Sequence, residues 1–74
     1  MGDMTFSEAL THLKGGGSVS RHGWNGPNQS LKIQQVHAES FMTLPYIYIT
    51  TVQDRRVPWL ASQTDLLEED WYAV

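Results

Sequence analysis

The first hydrophobic positions of the chain recur at helical spacing. They are Phe6, Ala9, Leu10 and Leu13. The hydroxyl of Thr5 and the carboxylate of Glu8, three residues apart, form the sequence signature of a capping box just ahead of this run. Glycines at 15–17 follow, and glycine readily takes the left-handed conformation that closes a helix. The pattern therefore predicts a short amphipathic helix over residues 6–14, with the glycines as its end rather than as a phosphate-binding loop.

After the glycines, short β-rich segments alternate with turn residues. The segments that predict strands are 18–21, 31–36, 45–52, 56–61 and 71–74. Ile47 and Ile49 fall on one face of the third segment, and the neighbouring tyrosines fall on the other. Pro58 lacks a backbone donor, so it must lie at an edge of the sheet or at an irregularity in a strand. Residues 37–44 have no clean period and predict an irregular connection.

One further helical turn is predicted close to the end of the chain. Ser62 and Thr64 are both N-cap residue types, and they precede "DLLEED". The order of elements indicates the α+β class. We expect an N-terminal short helix followed by a small antiparallel β-sheet, with one short helical turn before the C-terminal strand. Residues 1–74 are expected to form a single small domain.

Composition narrows the class of protein. The chain has 74 residues, 41% of them hydrophobic, with no cysteine and a formal net charge of −3. A domain of this size buries only about 60% of its unfolded surface, and its aromatic residues favour self-association. The acidic balance argues against DNA binding. No segment has the length of a membrane span or the form of a signal peptide, and the absence of cysteine favours a cytosolic protein.

The residue types that carry catalysis are not grouped in this sequence. His12, His22 and His37 lack the paired spacing of metal ligands. The carboxylates at 68–70 are typical of a solvated helix end. No serine lies in a recognisable nucleophile turn. We therefore expect no enzymatic activity, no metal and no cofactor.

Two segments carry the residue types of a binding site. "RHGWNGPNQ" and "VPWLASQTD" each combine an indole with amides, hydroxyls or charged groups. An indole can stack on a nucleobase, and arginine can bind a phosphate. Each residue also has a structural interpretation: Trp59 as a core or interface anchor, Trp71 as a staple for the C-terminal tail, and Arg21 as the partner of Asp65 or Asp70.

The same blocks resemble a known family. "TFSEALTHLKGGGSVSRHGWNG", "LPYIYITT" and "VPWLASQTDLLEEDWYAV" follow one another as in the second Thoeris anti-defence family of phages and prophages. The middle segment, residues 29–43, is less typical of that family.

The resemblance implies a non-enzymatic sponge in the host bacterial cytoplasm. It would bind a cyclic ADP-ribose isomer, or the cyclic oligonucleotide signals of CBASS, in pockets between the subunits of a homotetramer. The candidate ligand-binding residues in the two blocks are Arg21, Trp24, Asn25, Trp59, Ser62, Gln63, Thr64 and Asp65. In this interpretation Trp24 stacks on a base, Asn25 forms a hydrogen bond near it, and Arg21 either meets a phosphate or stiffens the loop.

Other classes of function remain open on the residues alone. The main alternative is a phage inhibitor that acts by direct protein contact, with Tyr46, Tyr48 and Trp24 as anchors. A small nucleotide-processing enzyme is the third interpretation, and it predicts turnover of the signal.

Overall fold

A computed structural model describes residues 3–24 and 28–74 of the chain. Within them the elements run in the order α1 (Phe6–Lys14), β1 (Val19–Arg21), β2 (Ser30–Gln34), β3 (Tyr46–Thr50), β4 (Arg56–Pro58), α2 (Gln63–Leu67) and β5 (Trp71–Ala73). The α+β prediction, with its helix, antiparallel strands and short helix before the last strand, is confirmed.

Helix α1 begins and ends where its local sequence predicts. Thr5 is the N-cap, its hydroxyl accepts a hydrogen bond from the backbone of Glu8, and the Glu8 carboxylate accepts one from the backbone of Thr5. At the other end Gly15 donates to carbonyls of the last turn, and Gly16 has a φ of 97°. That left-handed conformation is easily reached only without a Cβ.

The strands form one antiparallel sheet with the order β4-β3-β2-β1-β5 in the described residues. β4 is an edge strand, which is one of the two positions predicted for Pro58. The strands are shorter than predicted, since β3 ends at Thr50 and β4 at Pro58. Beyond Thr50 the chain enters a turn in which Thr51 N donates to the Arg55 carbonyl at 2.7 Å, and beyond Pro58 one bond from Trp59 N to the Ile47 carbonyl at 3.0 Å continues the pairing.

The core lies between α1 and one face of the sheet. Its fully buried members are Ala9, Leu13, Val19, Leu31 and Trp71. Ile47 and Ile49 pack against this cluster from the middle of the sheet, as their alternation predicted. The tryptophans of the two sequence blocks, Trp24 and Trp59, pack against this core, and both contact Trp71.

Candidate functional site

An open groove lies where the two sequence blocks come together. It has a volume of about 480 Å³ and is lined by Trp24, Gln29, Ile49, Pro58, Trp59, Leu60 and Asp65. Three of these, Trp24, Trp59 and Asp65, are candidate residues from the sequence. A groove of this volume falls within the range of small-molecule sites.

The buried indole of Trp71 supports both tryptophans of the groove. The Trp24 ring lies 5.3 Å from it at 80°, and the Trp59 ring lies 6.0 Å from it at 89°. Phe6 of α1 completes the cluster, 5.4 Å from Trp71 and 5.8 Å from Trp59. Edge-to-face packing of this kind is favourable, so both groove tryptophans are held while remaining half-buried. Trp71 is therefore a central core residue rather than only a staple for the tail.

Asp65 connects the groove to helix α2. Ser62 is the N-cap of α2, and Ser62 and Asp65 form a reciprocal capping box with two bonds of 3.0 Å. The second oxygen of the carboxylate, Oδ1, accepts a hydrogen bond from the indole Nε1 of Trp24 at 3.0 Å. The same oxygen accepts one from Arg21 Nη1 at 2.7 Å. The carboxylate of Asp65 thereby forms hydrogen bonds with the start of α2, with Arg21 at the end of β1 and with Trp24 in the wall of the groove.

Arg21 has a second carboxylate partner. Its Nε donates to Asp70 Oδ1 at 2.7 Å, and its Nη2 donates to Asp70 Oδ2 at 3.2 Å. The ion pairs with Asp65 and Asp70 leave the arginine residue only 8% exposed. Both structural partners that the sequence offered for Arg21 are thus present in the structure.

These contacts set the protonation of the two carboxyls. The hydrogen bonds from Arg21 lower the pKa of Asp70. Burial acts to raise the pKa of Asp65, but hydrogen bonds from Ser62, Trp24 and Arg21 outweigh burial, and the pKa is lowered. The pKa of Arg21 is raised, first by its bond to Asp70. Asp65 is therefore an anion at neutral pH, fixed as a hydrogen-bond acceptor.

Comparisons with known proteins place the chain in a family. The family model described as the Thoeris anti-defense 2-like domain matches residues 4–74. The chain belongs to this family. It is also similar to "Thoeris anti-defense 2" of Bacillus phage SP01, with 37% identity over 81 aligned positions that cover 92% of this chain and 91% of that protein. Membership in the Thoeris anti-defense 2-like family supports a phage anti-defence role.

The other candidate residues take different positions in this family member. Ser62 acts through its cap on Asp65, while Gln63 and Thr64 lie exposed on α2 and do not line the groove of one copy. Asn25 lies outside the described residues. The contacts of all these residues with a ligand stay predictions.

The groove also includes residues that the sequence did not single out individually. Gln29 belongs to the first block, and its carbonyl accepts a bond of 2.6 Å from Ser20. Pro58 and Leu60 flank Trp59 in the second block. The signal that could have found Pro58 and Leu60 is their adjacency to Trp59. Ile49 lies on β3, so its position at the groove follows only from the pairing of β3 with β2 and β4.

A separate apolar surface lies where the segment least typical of the family, residues 29–43, joins the family block that begins at Leu44. Phe41 is 96% exposed and Leu44 is 75% exposed. Both border a smaller cavity of about 190 Å³, together with Met42 and Tyr46. Exposed apolar side chains at such density are typical of surfaces that associate with another molecule.

The described residues form neither a metal site nor a membrane-spanning helix. In residues 3–24 and 28–74, no three histidine or acidic side chains are grouped so that they could hold a metal ion. The helices of these residues are all too short to cross a membrane.

Proposed function

We propose that this family member is an anti-defence sponge, which binds cyclic nucleotide immune signals and sequesters them without degrading them. The ligand class comprises the cyclic ADP-ribose isomers of Thoeris and, second, the cyclic oligonucleotides of CBASS. The observation that carries the proposal is the groove lined by Trp24 and Trp59, with Asp65 between α2 and the indole wall. Indole faces suit nucleobases, and Asp65 holds one of the two indoles in place through the hydrogen bond that it accepts from Trp24 Nε1.

The chemistry of the groove favours binding over turnover. Asp65 is the ionisable residue among the described groove residues, and both of its oxygens already accept hydrogen bonds. A general acid needs a raised pKa, whereas the pKa of Asp65 is lowered. A general base needs a free lone pair directed at its substrate, and the bonds to Arg21 and Trp24 compete for it.

The open form of the groove supports assembly into a homotetramer with shared pockets. Leu60 lines the groove and is 91% exposed. A second copy placed over this rim would enclose a ligand that one copy only half covers, and symmetric self-association is a common solution for small domains. Such a copy could also bring Gln63 or Thr64 of its α2 to the ligand.

The direct test is the affinity of purified protein for a cyclic ADP-ribose isomer, measured by titration calorimetry. Trp59→Ala removes one stacking face, and we expect binding to weaken about 5- to 150-fold, as the loss of one base stack predicts. Phe41→Ala is the matched control, since it removes an exposed aromatic ring away from the groove. Parent-like affinity of folded Trp59→Ala would contradict the stacking role.

Gln63→Ala tests whether a second copy completes the pocket. Gln63 does not line the groove of one copy, so a groove used by one copy alone predicts unchanged affinity. A shared pocket predicts weaker binding together with a native mass of four chains.

The exposed apolar segment favours a second candidate, inhibition by direct protein contact. Phe41 and Leu44 offer anchors of the kind found at protein interfaces. This alternative predicts that Phe41→Ala, and not Trp59→Ala, abolishes protection of phage from the defence system. Under the sponge proposal Trp59→Ala is the defective variant and Phe41→Ala is the control. Under direct protein contact the reverse holds.

A further inference from the structure

The turn that carries Trp24 is attached to the strand β5 region by a set of hydrogen bonds. The backbone amide of His22 donates to the carbonyl of Asp70 at 3.1 Å. The amide of Gly23 donates to Asp70 Oδ2 at 2.9 Å. The amide of Trp24 donates back to the Arg21 carbonyl at 3.3 Å. The backbone on the N-terminal side of Trp24 is thus fixed mainly by Asp70.

The ring of Trp24 is fixed by the other carboxylate. Its Nε1 donates to Asp65 Oδ1, and Arg21 bonds both Asp65 and Asp70 with its rigid fork. The two attachment points of Trp24, backbone and ring, therefore end on two carboxylates that one guanidinium holds together. We call Arg21, Asp65 and Asp70 the clamp.

We propose that the clamp positions Trp24 as the wall of the groove, with Arg21 and Asp70 as positioning residues that do not contact the ligand. The role in binding rests on the proposed function. The donors of Arg21 are directed at carboxylates 2.7–3.2 Å away, and the residue is buried. A ligand phosphate would have to displace an existing ion pair to reach it, so the structure favours a structural partner for Arg21 over a phosphate.

The clamp also requires a glycine at position 23, for steric reasons. A Cβ at this position would lie 2.8 Å from Asp70 Oδ2 and 2.9 Å from Arg21 Nη2. Both atoms are held in ion pairs, so neither can retreat without loosening a bond of the clamp. The glycine next to Trp24 in the sequence thereby lets the backbone approach the clamp closely.

The test uses Asp70→Asn, with Asp3→Asn as its matched control. Asp3 also pairs with this turn, at 3.3 Å from His22 Nε2, but it is exposed and makes no contact with the clamp. The first readout is hydrogen exchange of the indole N–H groups by nuclear magnetic resonance, with the Trp24 signal assigned from Trp24→Phe. The second readout is affinity for a cyclic ADP-ribose isomer.

In Asp70→Asn we expect exchange at Trp24 Nε1 to accelerate about tenfold or more, while Trp71 Nε1, which donates to the Asp65 carbonyl at 2.9 Å, keeps the parent rate. If the aligned turn is then populated in about one molecule in ten, apparent affinity falls about tenfold. Asp3→Asn should match the parent in both readouts. Gly23→Ala, which keeps every charge, should reproduce the effect of Asp70→Asn.

Two results would overturn the proposal. One is an unchanged Trp24 exchange rate in both Asp70→Asn and Gly23→Ala. The other is equal acceleration at Trp24 and Trp71, which would mean general loss of stability rather than release of one side chain. If the parent binds no cyclic nucleotide, the proposed function fails, and the exchange rates alone still decide whether the clamp holds Trp24.

Discussion

Replacing Arg21 by alanine should destabilise the domain more than any surface change. The substitution leaves the side chains of Asp65 and Asp70, 10% and 23% exposed, as neighbouring anions without their cation. Removing one partner of a buried ion pair costs about 3–5 kcal/mol. A chain of this length has a total free energy of unfolding of about 4–11 kcal/mol, taking roughly 0.05–0.15 kcal/mol per residue. The loss therefore ranges from about a quarter of the stability to all of it.

Urea unfolding followed by circular dichroism measures this loss. With an m-value of about 1 kcal/mol per molar, the midpoint should fall by about 3–5 M. Arg21→Lys is the control, since it keeps the charge but cannot bond two carboxylates with a planar fork. Its midpoint should lie between those of the parent and Arg21→Ala.

The pH dependence of the free energy of unfolding tests the same prediction independently. The folded-state pKa values of Asp65 and Asp70 are lowered, so their contribution is fully present above the unfolded value of about 3.9. It is lost as pH falls through the folded values. The difference between parent and Arg21→Ala should therefore be largest near neutral pH and shrink below about pH 4. A midpoint change under about 0.5 M, or a difference that does not depend on pH, would refute the structural role of the ion pairs.

Three further substitutions test the parts that support the groove. Trp71→Leu should cost about 3 kcal/mol of unfolding free energy, because it removes the fully buried ring that packs on Trp24 and Trp59. Ser62→Ala should cost about 1 kcal/mol through loss of the α2 cap. Gly16→Ala should cost about 1 kcal/mol, because alanine is strained at a φ of 97°. Urea midpoints check all three, and parent-like midpoints would contradict the respective contact.

The helices and the fold class could be predicted because their signals are local. The capping box of Thr5 and Glu8 and the glycine at position 16 lie within a few residues of what they determine. The ends of the strands could not be predicted in the same way. β3 ends at Thr50 because the chain turns there, with Thr51 N donating to the Arg55 carbonyl and Asp54 N to the Thr51 carbonyl. The β-rich pattern that runs on to Val52 does not show where this turn begins.

The candidate site was predicted at the level of its two blocks, and less well at the level of roles. The sequence places Arg21 and Asp65 in those blocks, but their separation of 44 residues gives no sign that they share a bond of 2.7 Å. Trp71 looked peripheral because it lies near the end of the chain, yet pairing of β5 with β1 places it at the centre of the core. Gln63 and Thr64 follow the N-cap directly, and the helix turns them away from the groove that Asp65 faces.

The central claim is sequestration without degradation, and one measurement tests it most directly. The protein is incubated with a cyclic ADP-ribose isomer, separated from free ligand by gel filtration, and then denatured by heat, after which the released nucleotide is identified by mass spectrometry. We predict that the isomer elutes with the protein and is recovered chemically unchanged. Failure to retain any nucleotide, or recovery of a linear or otherwise altered product, would contradict the account.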